Sequence, residues 1–444
     1  MSNLHRHAPL RVALVGLGTV GGGVIRLLET NGDLIARRAG CPIQIVAISA
    51  RDRHKDRGVD LSPYEWVDDM TTLATRDDVD VVVELIGGSD GPALALARQC
   101  LTVGKPFVTA NKAMLAHHGL DLARLAEQGG IALKYEAAVA GGIPVIKGMR
   151  EGAAANEISG VYGILNGTCN YILTRMEKEG LSFADCLKEA QRLGYAEADP
   201  AFDIEGNDTA HKLAILTTLA FGSQIAADDI YLEGITNISI EDIRAAADLG
   251  YRIKLLGVAQ LTDSGIEQRV HPTMVPLDSV IAQVDGVTNA VAIESDILGE
   301  LLMVGPGAGG NATASAVLGD IADVAKSRPG AQQVPALGRP AAALEPYRRA
   351  RIQSHEGGYF IRLTVEDRAG VFAGIATHMA ANAISLESIV QRPKPRGENG
   401  PQTIILVTHA TREDSVRGAV EAISADGYLL GAAQVIRIER PKNA

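Results

Sequence analysis

The sequence predicts an α/β protein of three units: a doubly wound parallel sheet first, an α+β middle, and a split β-α-β module at the end. Three observations carry that expectation. Apolar runs alternate with helical spacing over residues 1–135, as parallel βαβ units require. Residues 327–357 carry Pro329, Pro335, Pro340 and Pro346, a density that breaks regular elements and reads as a linker region. Residues 358–440 then follow the order β-α-β-β-α-β, the ferredoxin-like split unit.

In the first unit, residues 10–16 (Leu-Arg-Val-Ala-Leu-Val-Gly) form a continuous apolar strand, and a helix follows a glycine-rich turn from Val20 to Leu28. Residues 43–49 and 79–86 are further strands, 92–103 a helix and 106–110 a short strand. The middle, 136–312, lacks regular βα spacing; its helices fall near 181–193 and 208–221, with a strand at 160–165. Residues 313–326 form an amphipathic helix able to pack back on the first unit. In the last unit, Ile361, Leu363 and Val365 alternate as a strand, and Val371, Phe372, Ile375 and Met379 share a helix face. Strands at 384–390 and 403–408 precede a helix over 412–425 with Thr411 as N-cap, and a last strand ends near Ile438.

Composition narrows the function. At 444 residues, and about 150 residues per domain, three domains are expected. Lys plus Arg number 42 against 53 Asp plus Glu, and the net charge of −11 disfavours nucleic acid or an anionic membrane as partner. The 46% hydrophobic and 21% charged fractions exclude disorder. No apolar run approaches the roughly 18 residues of a membrane helix. The N-terminus (Met-Ser-Asn-Leu-His-Arg-His-Ala-Pro) enters a strand too soon for a signal peptide. Cys41, Cys100, Cys169 and Cys186 form no CxxC pair, so free thiols and a cytoplasmic location are expected.

The first chemistry-bearing motif is Gly16-Leu17-Gly18-Thr19-Val20-Gly21, set between a strand and its helix. That spacing serves a tight turn, close approach to pyrophosphate and close helix–strand packing, so this is a Rossmann dinucleotide site. At the end of the second strand, Ala50 and Arg51 stand where an NAD site usually keeps an acid. Arg51 favours the 2′-phosphate of NADP, and Asp52 leaves NAD open.

Two stretches hold unusual polar residues. Thr109-Ala-Asn-Lys112 ends a short strand of the first unit, where ligands of open α/β sheets bind. Between Gly194 and Lys212 lie five carboxylates, Glu197, Asp199, Asp203, Glu205 and Asp208. Asp208 and Lys212 are four apart at a helix start and share a face; taken alone, they read as a surface salt bridge.

The run Ala190-x-x-x-Gly194-Tyr195-Ala196-x-x-Asp199-Pro200-x-x-Asp203-Ile204-x-Gly206-x-Asp208-x-x-x-Lys212 resembles the signature of the homoserine dehydrogenases. Further matches are Val82-Val-Glu84-Leu-Ile-Gly87-Gly88, Thr109–Lys112, Leu165-Asn166-Gly167-Thr168 and Gly305-Pro-Gly307-Ala-Gly309-Gly310. They occur in the family's order from residue 10 to about 325. The resemblance implies reversible hydride transfer between NAD(P)H and the aldehyde of L-aspartate 4-semialdehyde, giving L-homoserine. On it, Lys212 is the acid–base residue and Lys112 the second lysine, which also contacts the cofactor. The substrate would meet Glu197, Asp208, Asp203, Thr168, Gly167 and Tyr195, and Gly194, Gly307 and Gly310 would complete the cofactor site. Glu136, Val139, Gly141 and Ile143 resemble the family's loop for a monovalent cation, sodium, although the residues themselves read as a glycine-rich turn.

Asp367-Arg-Ala-Gly370-Val-Phe-Ala-Gly374 resembles the strand–helix loop of an ACT domain, which implies amino-acid sensing at Asp367 and Gly370. L-threonine is the effector this implies; a purely structural tail is the alternative. With no kinase-like segment ahead of Gly16, the monofunctional form is expected, as a homo-oligomer (dimer or tetramer). Two competing readings stand beside it: a semialdehyde dehydrogenase acylating Cys169, and a non-catalytic dinucleotide- and amino-acid-binding sensor.

Overall fold

The computed structural model describes residues 8–327, 333–350, 356–391 and 400–439. Parts of the expectations above, namely the N-terminal seven residues, Pro329 and residue 440, lie outside the described residues.

Six parallel strands form the first sheet: β1 (Leu10–Val15), β2 (Ile43–Ser49), β3 (Glu65–Trp66), β4 (Val81–Glu84), β5 (Phe107–Thr109) and β6 (Leu133–Lys134). Their order is β3-β2-β1-β4-β5-β6, with the strand order reversing beside β1. Helices α1 (Thr19–Ala39), α2 (Pro92–Thr102) and α3 (Lys112–Gly129) connect them. Both faces of β1 are buried: Val12 and Leu14 join one core cluster, Ala13 and Val15 another. That explains a strand sequence apolar at nearly every position. Helix α1 outruns its expected end at Leu28, because its later turns are mostly exposed and the apolar run no longer marks them. It stops at Gly40, which takes the left-handed conformation (φ +86°) with Arg37 and Arg38 in the last turn.

The middle holds α4 (Val145–Lys147), β7 (Ile158–Ile164), α5 (Gly167–Glu179), α6 (Phe183–Arg192), α7 (Ala201–Ile204) and α8 (Asn207–Phe221). It continues with β8 (Tyr231–Leu232), α9 (Ile240–Asp248), β9 (Tyr251–Thr262), β10 (Gly265–Pro276), β11 (Thr288–Ser295) and β12 (Gly299–Pro306). Helix α10 (Gly310–Lys326) returns to the first unit, burying Ala314, Val317 and Ile321 in the cluster that holds Val24 and Ile25 of α1.

The last unit runs β13 (Glu356–Val365), α11 (Val371–Ala381), β14 (Leu386–Gln391), β15 (Gln402–Thr408), β16 (Thr411–Arg412), α12 (Glu413–Ala425) and β17 (Gln434–Ile438). Thr411 does not cap α12. It is drawn into β16 opposite Gly357, and Arg412 takes the cap position without a side-chain hydrogen bond. Nor is this unit a separate body. Strand β17 pairs with β13 and also, in parallel, with β10 (Thr273 to Arg437, Met274 to Ile438), so one sheet spans the middle and last units.

The proline-rich stretch is irregular but fastened. The Tyr135 hydroxyl donates to the Ala336 carbonyl, Ala341 N–H donates to the Glu127 carboxylate, and Ala350 N–H donates to the Ile266 carbonyl. Residues 333–350 are therefore a strap across both preceding units rather than a free linker. Among the described residues, no helix is long and apolar enough to cross a membrane.

Candidate active site

The glycine turn is shaped by the protein on two sides and open on a third. Gly16 has φ +97°, and a Cβ there would lie 2.6 Å from the Leu85 carbonyl carbon. A Cβ on Gly21 would lie 2.1 Å from the Gly16 carbonyl oxygen, whereas nothing stands within 4 Å of one on Gly18. Gly18 is also the cap residue of α1 and makes no side-chain cap bond, so the first N–H groups of the helix face outward. An open approach onto a helix amino end is what a dinucleotide pyrophosphate needs, and these residues fit one.

At the end of β2, Arg51 is exposed. Arg57 is engaged: its guanidinium donates to the carbonyls of Leu17 (3.1 Å), Lys55 (2.6 Å) and Asp52. Arg57 and Arg53 also lie over the ring of Trp66, 5.7 and 5.8 Å from its centre.

The loops after β4 and β5 are tied together. The buried Glu84 carboxylate accepts the Ile86 and Gly87 N–H groups (2.6 and 2.9 Å) and the Thr109 hydroxyl (2.6 Å). Asn111 caps α3 by accepting Met114 N–H, and donates to the Gly88 carbonyl at 2.7 Å. This sets Lys112, the first residue of α3, at the edge of a cleft of about 880 Å³ between the first and middle units.

Across that cleft, α8 presents Asp208 and Lys212. Lys212 Nζ donates to Asp208 Oδ2 (2.7 Å) and to the Leu165 carbonyl (2.6 Å), and Lys112 Nζ stands 3.0 Å from Asp208 Oδ1. Asn166 Nδ2 donates to both Asp208 (2.9 Å) and Asp203 (2.8 Å). Burial pushes the Asp208 carboxyl up, but the charges of Lys212 and Lys112 and the hydrogen bonds from Lys212 and Asn166 outweigh it and hold it well below the usual carboxylate range. Burial and the Asp208 charge raise Asp203. The arrangement joins two units through one carboxylate and leaves both lysine heads on the cleft wall.

Of the residues expected from the sequence, Val20, Lys112, Gly141, Gly167, Thr168, Gly194, Tyr195, Asp203, Asp208, Lys212 and Gly307 line the cleft. Thr168 donates its hydroxyl to the Tyr195 carbonyl at 2.7 Å. Glu197 is exposed and off the cleft wall, its backbone carbonyl engaged by Gln191. Asp208 Oδ2 accepts from Lys212 and Asn166, and its Oδ1 stands 3.0 Å from Lys112 Nζ. Gly310 lies off the wall as well, where a Cβ would come within 2.9 Å of Thr19. Asn166, Glu84 and Asn289 were not among the expected site residues. Asn166 has a local signal, an asparagine between strand and helix that caps α5. Asn289, whose buried Oδ1 has no partner and which lines the cleft, has none.

Cys169 does not suit nucleophilic attack. It is buried, its Sγ lies 3.3 Å from the Asp203 carbonyl, and burial pushes the thiol well above its ordinary value. At the expected cation loop, the Glu136 carboxylate accepts Ile146 and Lys147 N–H groups (2.8 and 3.0 Å). Ala140 and Gly141 both have positive φ (+54° and +52°). Among the described residues, no cluster of three or more acid, His or Cys side chains could hold a metal.

A family model for homoserine dehydrogenase matches residues 144–322, the NAD-binding domain model of the same family matches 16–136, and an ACT domain model matches 359–427. The homoserine dehydrogenases of Neisseria gonorrhoeae and Pseudomonas aeruginosa are each 44% identical to the chain, over 97% of it and 99% of their own length. The crystal structure of a homoserine dehydrogenase from Thiobacillus denitrificans aligns with a TM-score of 0.91 at 43% identity, covering 97% of this chain and 98% of that one. With its Rossmann sheet, lysine-lined cleft and ACT module, the chain belongs to the homoserine dehydrogenases, NAD(P)-dependent oxidoreductases.

Proposed function

We propose that Lys212 moves the proton of the homoserine dehydrogenase reaction and that Asp208, shared by Lys212 and Lys112, positions both lysines. The single observation behind this is the buried Asp208 carboxylate, 2.7 Å from one Nζ and 3.0 Å from the other across the cleft. NAD(P)H, when bound, supplies the hydride that reduces the C4 aldehyde. Lys212 then gives its proton to the developing alkoxide, and takes it back when L-homoserine is oxidised. Lys112 orients the same oxygen from the nucleotide side. The amino end of α5, at Gly167 and Thr168, suits the substrate carboxylate. Asp203, on the same cleft wall, suits its ammonium. Replacing Lys212 by Ala is expected to lower kcat by ~10²–10⁴-fold, with NADPH binding by fluorescence titration retained. Near-wild-type turnover would remove Lys212 from this role.

The cofactor turn, Gly16 to Gly21, is proposed to hold the pyrophosphate, with Ala50 and Arg51 at the ribose; Arg51 favours NADP over NAD. Glu136, Val139, Gly141 and Ile143 are proposed to turn backbone carbonyls onto a sodium ion that steadies the loop. The consecutive left-handed residues Ala140 and Gly141 support that bend. Asp367, exposed before α11, and Gly370, its cap with φ +93°, are proposed as the L-threonine-sensing loop. Exposed Val280, Ile297, Leu298 and Val304 support a homo-oligomer, dimer or tetramer, that covers them. Four buried free cysteines support a cytoplasmic setting.

A further inference from the structure

On the catalytic side the cleft is walled by residues 287–289 and 305–309, and on the nucleotide side by Val20 and residues 85–87 and 110–112. Gly305 pairs with Asn289 in the ladder of β11 and β12, and a Cβ on Gly310 would come within 2.9 Å of Thr19 on α1. The turn 305–310 therefore runs along the cleft from β11 to the glycine turn of the cofactor site. Its middle is gripped from two sides. A Cβ on Gly307 would fall 1.9 Å from Cγ of Asn289, and one on Gly141 would fall 2.4 Å from the Gly307 carbonyl oxygen. Gly142 N–H also donates to the Pro306 carbonyl at 3.0 Å.

Asn111, Asn166 and Asn289 all line the cleft, and the first two are spent on the protein itself. Asn111 accepts Met114 N–H and donates to the Gly88 carbonyl. Asn166 accepts Cys169 N–H and donates to Asp203 and Asp208. Asn289 differs. It is 1% exposed, its Oδ1 is buried without a partner, and its side-chain amide makes no hydrogen bond with another described residue. A buried amide left unbonded is costly, so a partner from the cleft is called for.

The polar groups that the two reactants bring narrow the choice. The substrate carboxylate, its ammonium and the reacting oxygen carry or develop charge, and the amino end of α5, Asp203 and the two lysines suit them. The carboxamide of the nicotinamide is the neutral polar group left over. It offers one acceptor oxygen and an NH2 donor, the complement of an asparagine amide. We propose that Asn289 positions the nicotinamide by pairing with its carboxamide, Oδ1 accepting from the carboxamide NH2 and Nδ2 donating to the carboxamide oxygen. The amide reaches that pairing by turning about its Cβ–Cγ bond, a torsion with broad wells. A ring pinned at its carboxamide keeps one face toward the substrate, the orientation that hydride transfer needs. This rests on the proposed placement of the pyrophosphate at Gly16 to Gly21.

The test is isothermal titration of the full chain with three probes: NADP⁺, its 3-acetylpyridine analogue, in which a methyl replaces the carboxamide NH2, and 2′-phospho-ADP-ribose, which lacks the nicotinamide. Wild type is expected to bind the analogue several-fold more weakly than NADP⁺. Asn289→Ala is expected to lose about tenfold in NADP⁺ affinity, to hold 2′-phospho-ADP-ribose as wild type does, and to erase the difference between NADP⁺ and the analogue. Wild-type NADP⁺ affinity in Asn289→Ala would overturn the proposal. An equal loss for 2′-phospho-ADP-ribose would overturn it too and leave Asn289 as a prop for the turn 305–310. A defect confined to the KM for L-homoserine would assign the amide to the substrate and overturn it likewise. Should Asn289→Ala fail to fold, the wild-type comparison decides, since equal affinity for NADP⁺ and the analogue removes the carboxamide contact. A wild-type chain that does not bind 2′-phospho-ADP-ribose would overturn the placement at Gly16 to Gly21, and the proposal with it.

Discussion

Arg51 and Arg57 are both basic residues after β2, and the structure separates their work. Arg57 spends its guanidinium on three backbone carbonyls, one of them Leu17 inside the glycine turn, so it holds the loop in shape. Arg51 has no hydrogen bond or ion pair within the described residues and stays available for a 2′-phosphate. A charge-assisted bond of that kind contributes ~1.5–3 kcal/mol, so Arg51→Ala is expected to raise the KM for NADPH about tenfold or more. The KM for NADH should change little. Steady-state kinetics with both cofactors check this, and equal changes would end the 2′-phosphate role. At this scale the cluster on the cleft wall was legible because Asp203, Asp208 and Lys212 sit in one contiguous run. Glu197 belongs to the same run yet faces solvent, since neighbouring positions on a turn need not share a direction. Asn289 was not legible: its value lies in a buried oxygen that only the assembled cleft isolates.

Between elements, the contact of residues 136–138 with α10 carries a titratable load. Burial and the Asp320 charge raise the Glu136 carboxyl to about 7. In the unfolded chain the same group releases its proton near ~4.3. Between those values the folded protein binds more protons than the unfolded one, so stability falls as pH rises through that window. Glu136→Gln has no such proton to lose, and the difference is expected to be on the order of 1–3 kcal/mol between pH 5 and 8. Urea unfolding of both proteins at several pH values measures it, and parallel curves would show that Glu136 does not carry the slope. Element order was readable from apolar periodicity, including the helix over 313–326 and its return to the first unit. Element ends and attachments were not. Helix α1 continues for turns that bury almost nothing, and the strap at 333–350 is held by scattered hydrogen bonds, such as those from Tyr135 and to Glu127, and by a few buried apolar side chains, which leave no periodic trace.

At the scale of the molecule, the joint between catalytic and ACT units is a strand pair, β10 with β17, whose partners are far apart in sequence. Local pattern identifies each strand but carries no information on that register, so the two units read as separate and fold as one sheet. The joint also closes over charge. Arg269 on β10 is 1% exposed and is satisfied by Glu267, by His271 Nε2 at 3.0 Å, and by Glu439 at 3.2 Å from beyond β17. A chain cut after Ala350 keeps the cleft, the strap and both lysines, yet it bares the edge of β10 and strips one carboxylate from a buried guanidinium. Loss of a buried partner costs ~3–5 kcal/mol, and an unpaired strand edge invites association. The truncated protein is therefore expected to melt roughly 5–10 °C lower and to aggregate on concentration, instead of behaving as an unregulated but sound enzyme. Thermal unfolding with light scattering tests this. A truncated chain that melts with the full-length protein and stays monodisperse would mean that β10 tolerates solvent, and that the shared sheet serves communication between the units rather than stability.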